Sequence, residues 1–207
     1  MPRIGTRKRY HLLKQELSEL GVGRDMLFVI LKANQMLIAR KRSCHITTDS
    51  HHRFRKHKNI VENLQINRPE QVWASDITYV GNRNNPMYLA LVTDTYSKQI
   101  MGYDVSKSLC TDGILRALKM ATRNRKYRSE DLIHHSDRGL QYCSNMYQDL
   151  LLKRKIKCSM TESYDPYANA VAERINGILK SELLGYDNKL PIDQMKLLVK
   201  DSIAIYN

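Results

Sequence analysis

Three consecutive segments between residues 72 and 105 have the composition of β-strands, and they constrain the fold more than any other part of the chain. Alternation in residues 72–80 places two sets of side chains on opposite faces: Trp73, Ile77 and Tyr79, and Ala74, Asp76 and Thr78. Residues 87–93 and 99–105 form the second and third segments, with turn-rich connections at 81–86 and 94–98. Three strands joined by short links predict an antiparallel meander.

Helical and strand patterns alternate after this meander. The spacing predicts helices over residues 111–122 and 144–155, short strands over 131–135 and 157–160, and a third helix that begins near residue 168 or 169. The order β-β-β-α-β-α-β-α predicts the α/β class, with a mixed sheet flanked by helices. A smaller helical region is expected before this mixed sheet. The length of 207 residues allows one medium domain and a small one.

An acidic side chain lies in the middle of the first strand, and two more follow at defined places. Asp137 ends the apolar run of the fourth strand, and Glu173 follows on the last helix after 35 intervening residues. On a helical wheel the apolar positions of that helix cluster on one side: Val171, Ile175, Ile178 and Leu179. Glu173 falls nearly opposite them. A solvated surface glutamate explains one such residue, but two strand acids preceding it favour a shared site.

Clustered carboxylates are the ligands that Mg²⁺ and Mn²⁺ prefer, with water filling the remaining positions. Acids on neighbouring strands about 4.8 Å apart can share a metal. We therefore expect Asp76, Asp137 and Glu173 to be both catalytic residues and metal ligands. Two ions would activate a water or a 3′ hydroxyl and stabilise the leaving oxygen.

The charge of the chain favours a polyanionic partner. Lys and Arg total 34 and Asp and Glu total 21, a formal net charge of +13. Such an excess suits nucleic acid, whose phosphates it neutralises, although a soluble basic protein without this partner is the alternative. Apolar runs are far shorter than a membrane span, and the N-terminus lacks the apolar segment of a secretion signal, so we expect a cytosolic protein without membrane contact. The four scattered cysteines suggest reduced, mostly buried thiols.

The first 69 residues divide into a helical and a basic part. Helical spacing in residues 8–20 and 24–32, on either side of Gly21–Gly23, is typical of a helix-turn-helix or of a plain helical hairpin. Residues 40–58 contain seven Lys or Arg against one acid. This composition predicts a linker whose Arg53, Arg55 and Lys56 lie along a phosphate backbone.

Four stretches of this sequence resemble one family closely. They are residues 73–79 (WASDITY), 93–102 (TDTYSKQIMG), 135–142 (HSDRGLQY) and 169–182 (NAVAERINGILKSE). The chain is similar to bacterial insertion-sequence transposases of the DDE type, most closely to the integrase-core subunit of insertion sequence family three, which is related to retroviral integrases. The interval of 35 residues before the final Glu is a hallmark of that family.

The resemblance implies a ribonuclease-H-like fold and a metal-dependent DNA transposase, a polynucleotidyl transferase. It would cleave element ends and transfer the freed 3′ hydroxyl into target DNA, using Asp76, Asp137 and Glu173 with Mg²⁺ or Mn²⁺. Residues expected to position DNA or the triad are Arg138, Gln141, Asn169, Arg174 and Lys180. Asp94 matches an acid that follows the second strand, and we expect it to form a turn.

The resemblance also implies partners, a location and a domain division. The expected partners are double-stranded DNA of terminal repeats and target, further copies of the chain on DNA, and an upstream helix-turn-helix subunit. The expected location is the bacterial cytoplasm, in association with the nucleoid. The expected division is a helix-turn-helix-like region over 1–39, a basic linker over 40–69 and an integrase catalytic core over 70–207.

The sequence departs from the family at two points. Ala168 stands where relatives often carry an acid, and the chain is expected to be shortened at its C-terminus, which could impair activity. Two other functions therefore remain open. One is a metal-dependent nuclease of the same fold, and the other is an inactive DNA-binding remnant of a decayed element.

Overall fold

The computed structural model describes residues 4–37, 54–82, 84–162, 170–185 and 189–207. In this part of the chain, five strands and eight α-helices follow one another, with a π-helical segment after the seventh helix. In chain order they are α1 (Thr6–Leu12), α2 (Lys14–Glu19), α3 (Arg24–Ala33), β1 (Val72–Asn82), β2 (Asn85–Asp94), β3 (Ile100–Ser106), α4 (Thr111–Asn124), β4 (Ile133–Ser136), α5 (Leu140–Cys143), α6 (Asn145–Lys153), β5 (Lys157–Met160), α7 (Ala170–Ile178), the π-helical segment (Leu179–Leu184) and α8 (Ile192–Tyr206).

The five strands form one mixed sheet in the order β3-β2-β1-β4-β5. β1 and β2 are antiparallel, as are β2 and β3, whereas β4 runs parallel to both β1 and β5. The long strand β1 is therefore central, with the meander on one side and the parallel pair on the other. The predicted class and element order are confirmed, apart from the short additional helix α5.

Helices cover both faces of the sheet. On one face, Trp73, Ile77 and Met101 pack against apolar side chains of α4 and α6. On the other face, the apolar side chains of β2 contact those of α7, the π-helical segment and α8. This three-layer packing gives the chain two hydrophobic cores that share the sheet, and it places α7 over the face that carries Asp76.

Gly102 allows α4 to pack closely on β3. A Cβ atom at this position would lie 2.2 Å from the carbonyl oxygen of Ala117 and 2.6 Å from the amide nitrogen of Ala121. Since van der Waals contact between such atoms needs well over 3 Å, only glycine fits here without movement of the helix or the strand.

The hairpin between β1 and β2 is tighter than the sequence predicts. Residues 81–86 were expected to be a loop, but both strands continue until Asn82 faces Asn85. The side chain of Asn82 accepts hydrogen bonds from the amides of Asn84 and Asn85, at 2.9 Å each. A side chain that satisfies the turn amides lets the ladder run to its end.

The described part of the basic linker packs against β5. The amide of Ile60 donates to Ser159 Oγ at 3.0 Å, and the amide of Met160 donates to the Lys58 carbonyl at 3.4 Å. This segment is therefore held at the edge of the sheet. Arg55 and Lys56 just before it are exposed, while Arg53 lies outside the described residues.

The N-terminal helices lie against the end of the core. The predicted helix over 8–20 is divided at Leu13 into α1 and α2, and α3 matches the prediction closely. Lys8 forms an ion pair with Glu182 at 2.8 Å, which links α1 to the π-helical segment. Leu27 and Leu31 of α3 are buried. The assignment of these helices to a separate DNA-binding domain remains a prediction.

Two further expectations concern single residues. Asp94 is buried at the β2–β3 turn, where it accepts hydrogen bonds from the Ser97 amide, the Ser97 hydroxyl and the Glu70 amide, as expected of a turn-forming residue. Among the described cysteines, Cys143 is buried and Cys158 is half-buried. The expectation that the thiols are mostly buried is wrong for Cys110, which is exposed. Among the described helices, none is both long and apolar enough to cross a membrane.

Candidate active site

Asp76 lies within β1, and Asp137 follows the end of the neighbouring strand β4. β1 and β4 are parallel, with Ala74 opposite His135, and the negative charge of Asp137 acts on Asp76. Partners in a parallel pair project from the same face of the sheet. β4 ends at Ser136, and Asp137 caps the following turn by accepting the Gly139 amide at 3.0 Å. The sheet therefore brings these two carboxylates together.

The carboxylate of Asp76 is partly buried and strongly perturbed. The amide of Ile77 donates to its Oδ1 at 2.8 Å, and Asn176 Nδ2 donates to its Oδ2 at 2.7 Å. The pKa of Asp76 is raised to about 7, mainly by burial and then by the negative charges of Asp137 and Glu173, while the two hydrogen bonds act in the opposite direction. Desolvation and like charge both disfavour the ionised form. All three predicted acids thus interact at this position.

Glu173 approaches the strand acids from α7. Ala172, Ile175 and Asn176 are the buried residues of this helix, and Glu173 is exposed. The side chain therefore points away from the core, as the helical wheel predicts. Glu173 lies in the first turn of α7, where the helix dipole favours a negative charge.

Asn176 is a site residue that the sequence analysis missed. It lies one turn after Glu173, is buried, and holds Asp76 through its Nδ2. Within the described part of the chain its Oδ1 has no hydrogen-bond partner. The sequence offered one signal for this role, a polar residue at the margin of the apolar stripe of α7. Asn176 fixes the orientation of the Asp76 carboxylate and adds an oxygen donor beside it.

A buried hydrogen-bonded cluster lies beneath the two strand acids. His134 Nε2 is 2.7 Å from Ser75 Oγ and 2.8 Å from Tyr147 Oη. Burial, followed by the charge of His135, lowers the pKa of His134 to about 3, so the ring is neutral at physiological pH. The cluster joins β1, β4 and α6 directly beside the residues that carry the acids.

The oxygen donors near Asp76 are of the kind that binds a divalent cation, although in this conformation they do not all lie within reach of one ion. Carboxylate and amide oxygens from Asp76, Asp137, Glu173 and Asn176 are hard ligands. Within the described ranges, no group of three or more His, Cys, Asp or Glu side chains is arranged so that it could hold a metal ion.

Three of the basic or polar residues expected beside the triad have different surroundings. Lys180 is partly buried, with its Nζ 3.4 Å from Thr78 Oγ1, and burial lowers its pKa while the charge of Asp76 acts in the opposite direction. Arg138 is partly buried after Asp137. Gln141 is buried and donates to the Leu109 carbonyl at 3.1 Å, so it holds α5 in place and offers no exposed surface to DNA.

Arg174 lines a groove between α7 and the N-terminal helices. The cavity has a volume of about 730 Å³ and is lined by both basic and acidic side chains: Arg7, Lys8, Arg24, Asp25, Arg174 and Glu182. Arg174 is exposed next to Glu173, so the groove begins beside the predicted catalytic residue. Asn169 lies outside the described residues.

The chain is similar to known proteins over nearly its whole length. The integrase core domain family matches residues 66–166 and, in a second form, residues 154–207. The 31 kDa protein of insertion element IS600 from Shigella sonnei is 33% identical over 208 residues, covering 98% of this chain and 76% of that protein. The chain belongs to the insertion-sequence transposases with an integrase core. Members of this family are DDE-type polynucleotidyl transferases whose function is DNA transposition.

Another relative is named as a transposase. InsF of insertion sequence IS3A from Escherichia coli is 34% identical over 143 residues, covering 69% of this chain and 49% of that protein. The chain thus spans about three quarters of the length of the first relative and about half of the length of the second. The resemblance to DDE transposases of insertion sequence family three is confirmed.

Solved structures of retroviral integrases share the fold. The simian T-cell lymphotropic virus intasome matches with a TM-score of 0.56 and 22% identity, over 91% of this chain and 66% of that chain. The HTLV-2 integrase catalytic core in complex with magnesium matches with a TM-score of 0.50 and 22% identity, over 65% and 83%. The expected ribonuclease-H-like fold is confirmed.

Proposed function

We propose that this chain is the catalytic component of an insertion-sequence transposase, which cuts DNA at the ends of its element and joins the freed 3′ hydroxyl to target DNA. The observation that carries the proposal is that two acids from separate elements, Asp137 and Glu173, lie close enough for their charges to act on the partly buried carboxylate of Asp76. Asp137 and Glu173 both raise the pKa of Asp76. Such crowding of like charge is unfavourable in a purely structural site and is typical of functional ones.

We infer that a divalent cation, Mg²⁺ or Mn²⁺, compensates these charges. Magnesium is present in the solved HTLV-2 integrase core, which shares this fold. Asp76, Asp137 and Glu173 would hold the metal, as two ions, with the Asn176 oxygen beside them. When bound, the ions would lower the pKa of the attacking water or hydroxyl and neutralise charge on the phosphate.

The protein side chains supply orientation and DNA contact. Asn176 and the Ile77 amide fix the Asp76 carboxylate, so its ligand geometry exists before substrate binds. Arg174 and Lys180 lie on the same helical run as Glu173 and would contact phosphates of the DNA end. Arg55 and Lys56 extend that surface along the linker. Arg53, Arg138 and Asn169 would make further contacts with DNA.

The proposed partners follow from the reaction. Two element ends must be joined to one target, which favours several copies of the chain on DNA. The solved structures that share this fold include a retroviral intasome and a trimeric form of the HTLV-2 integrase core. A helix-turn-helix subunit made upstream would contribute recognition of the terminal repeats in the bacterial cytoplasm.

A strand-transfer assay tests the proposal. Purified protein, Mg²⁺ or Mn²⁺, and DNA carrying the terminal repeats of the element should yield joined products. Asp137→Asn should abolish joining, while anisotropy measurements show that DNA binding persists. Asp149→Asn, on the exposed face of α6, is the matched control and should join normally. Joining by Asp137→Asn at the control rate contradicts the catalytic assignment.

The same assay separates the two other functions. Nicked DNA without joined products identifies a metal-dependent nuclease of the same fold. Salt-sensitive binding with neither nicks nor joined products identifies an inactive remnant. No structural observation favours either of them over transposition.

A further inference from the structure

A cavity lies beside the catalytic acids, between the sheet, α7 and the described part of the linker. Its volume is about 440 Å³. We call it the linker cavity. Within the described ranges, its lining includes none of the residues proposed to bind metal or to contact DNA. The proposed function therefore leaves this cavity without a role.

The elements that bring the three acids together also build the linker cavity. β1, β4 and α7 each contribute the residue two positions before the acid that they carry or precede: Ala74, His135 and Val171. Two residues span about 6.6 Å along a strand, and neighbouring nucleotides of a stacked DNA strand lie about 3.4 Å apart. A group bound in the cavity therefore lies about one or two nucleotides from a phosphate held at the acids.

The walls of the cavity are mostly apolar, and one of them is aromatic. The half-exposed ring of Tyr96, at the turn between β2 and β3, lines the cavity. Asn59 also lines it, and its Oδ1 accepts the Val61 amide at 3.1 Å, which orients the Asn59 amide group. Aliphatic side chains complete the walls: Val61, Ile66, Val72, Ala74 and Val171. Such walls suit a flat ring with hydrogen-bonding edges.

The charges of the lining favour an uncharged occupant. Lys98 and Glu62 have opposite signs, and the Lys98 ammonium donates to the Thr95 carbonyl. A phosphate site needs a surplus of cations, as in the groove at Arg174. Among the described residues the linker cavity lacks that surplus, so it fits a nucleobase better than it fits the DNA backbone.

The outer wall of the cavity has a fixed position relative to the sheet. Ser159 Oγ accepts the Ile60 amide of the linker at 3.0 Å and lies 2.9 Å from Nδ1 of the buried His135. One hydroxyl thus joins the linker to β4. The Asn67 amide donates to Gln71 Oε1 at 2.9 Å, which ties the far end of the same segment to the residue before β1. The cavity is therefore formed before any ligand binds.

We propose that the linker cavity binds a single nucleobase of the DNA strand whose phosphate is held at the acids. The proposal rests on the proposed function, because it takes that strand as the source of the base. A base inside a duplex cannot enter a cavity, so it must leave the stack, which costs least where the base is mismatched or already unpaired. The bound base would fix the register of the strand on the acids and favour reaction close to a DNA end.

Binding to two duplexes that differ in one nucleotide tests the inference. The altered nucleotide lies about two positions from the 3′ end and is a mismatched adenine in one duplex and an abasic site in the other. Ca²⁺ replaces Mg²⁺, because it neutralises carboxylates while its looser coordination disfavours chemistry. Fluorescence anisotropy of the full chain should give a dissociation constant about 5- to 10-fold lower for the adenine duplex, as expected for one base stacked on an aromatic side chain. We call this difference the base preference.

Two variants change the cavity in different ways. Tyr96→Ala removes the aromatic wall, and Val61→Trp fills the cavity from the linker side. Both should abolish the base preference. Tyr127→Ala is the matched control, since Tyr127 is 47% exposed against 51% for Tyr96 and lies outside the cavity lining. This control should keep the base preference of the wild type, and thermal unfolding checks that all three variants are folded.

Several outcomes overturn the inference. They are equal binding of the two duplexes by the wild type, a base preference that either cavity variant retains in full, and its loss in the Tyr127 control. Equilibrium dialysis with labelled adenosine distinguishes a second source of the same ring. Adenosine binding that both cavity variants lose, without any base preference in DNA, would assign the cavity to free nucleosides and overturn the role of a DNA base.

Failure of the inference is distinguishable from failure of the proposed function. The base preference needs binding alone, and strand transfer is measured separately with Mg²⁺. Joined products from a protein without the base preference overturn the inference and leave the proposed function in place. A base preference in a protein that neither nicks nor joins DNA supports the cavity and contradicts the catalytic role. A wild type that binds no DNA overturns both.

Discussion

The perturbed carboxylate of Asp76 predicts an unusual dependence of stability on pH. Its pKa is about 7 in the folded chain, against an ordinary value of 3.8. A group whose pKa is raised by folding stabilises the protein at low pH, and that contribution is lost as pH rises through the folded value. In metal-free buffer, Asp76 therefore destabilises the fold progressively between about pH 4 and pH 7. Replacing it with Asn should remove this loss.

The magnitude follows from the two pKa values. Their difference of about three pH units, at about 1.4 kcal/mol for each, corresponds to up to about 4 kcal/mol. Asn at this position can accept only one of the two hydrogen bonds now made by Ile77 and Asn176, which costs about 1 kcal/mol at any pH. Asp76→Asn should thus be less stable by about 1 kcal/mol near pH 4 and more stable by about 3 kcal/mol near pH 8.

Urea unfolding in EDTA at several pH values measures this crossing. His134 contributes in the opposite direction, because its lowered pKa makes the fold lose stability as pH falls, but it is present in both proteins and cancels in their difference. Asp149→Asn, on an exposed surface, is the control and should follow the wild type at every pH. If the difference between Asp76→Asn and wild type does not change with pH, the crowding of the three acids is refuted.

Three further predictions follow from single contacts. Gly102→Ala should lower the free energy of unfolding by about 1–3 kcal/mol, because the added carbon clashes with α4. Gly177→Ala, with nothing within 4 Å of the added carbon, should raise that free energy by about 0.5–1 kcal/mol. Equal effects of the two substitutions in urea unfolding would contradict the close packing of α4 on β3. Asn176→Ala removes a hydrogen bond that lowers the pKa of Asp76, so the carboxyl should titrate at higher pH by NMR, and an unchanged titration would exclude that contact. Glu70→Gln should lower the free energy of unfolding by about 1–3 kcal/mol, and with it the Tm, because the buried carboxylate accepts two backbone amide hydrogen bonds. An unchanged Tm would show that these amides find other acceptors.

The fold was predictable because its signals are local. Alternation in β1 and the helical spacing of α4 and α6 survive in the structure with boundaries shifted by a few residues. The hairpin was not predictable, since an Asn side chain that caps the turn replaces the expected loop. Turn composition indicates where a chain reverses but not how many residues it needs.

The acids of the candidate site were predicted from the sequence and their roles stay a prediction, whereas the residues that contact them were not predicted. Asp76 and Asp137 stand out because a carboxylate in an apolar strand needs compensation. Asn176 and His134 act through contacts between elements that are distant in the sequence, and no periodicity indicates such a contact.

The cluster of Ser75, His134 and Tyr147 has a consequence for how variants of this chain behave. β4 is only four residues long, so few ladder bonds fix its alignment with β1. A slip by one residue would turn Asp137 to the opposite face of the sheet. The buried imidazole of His134, which contacts Ser75 on β1 and Tyr147 on α6, holds the two strands in register. Substitutions on α6, behind the sheet, can therefore displace Asp137 without changing any of the residues proposed to bind a metal.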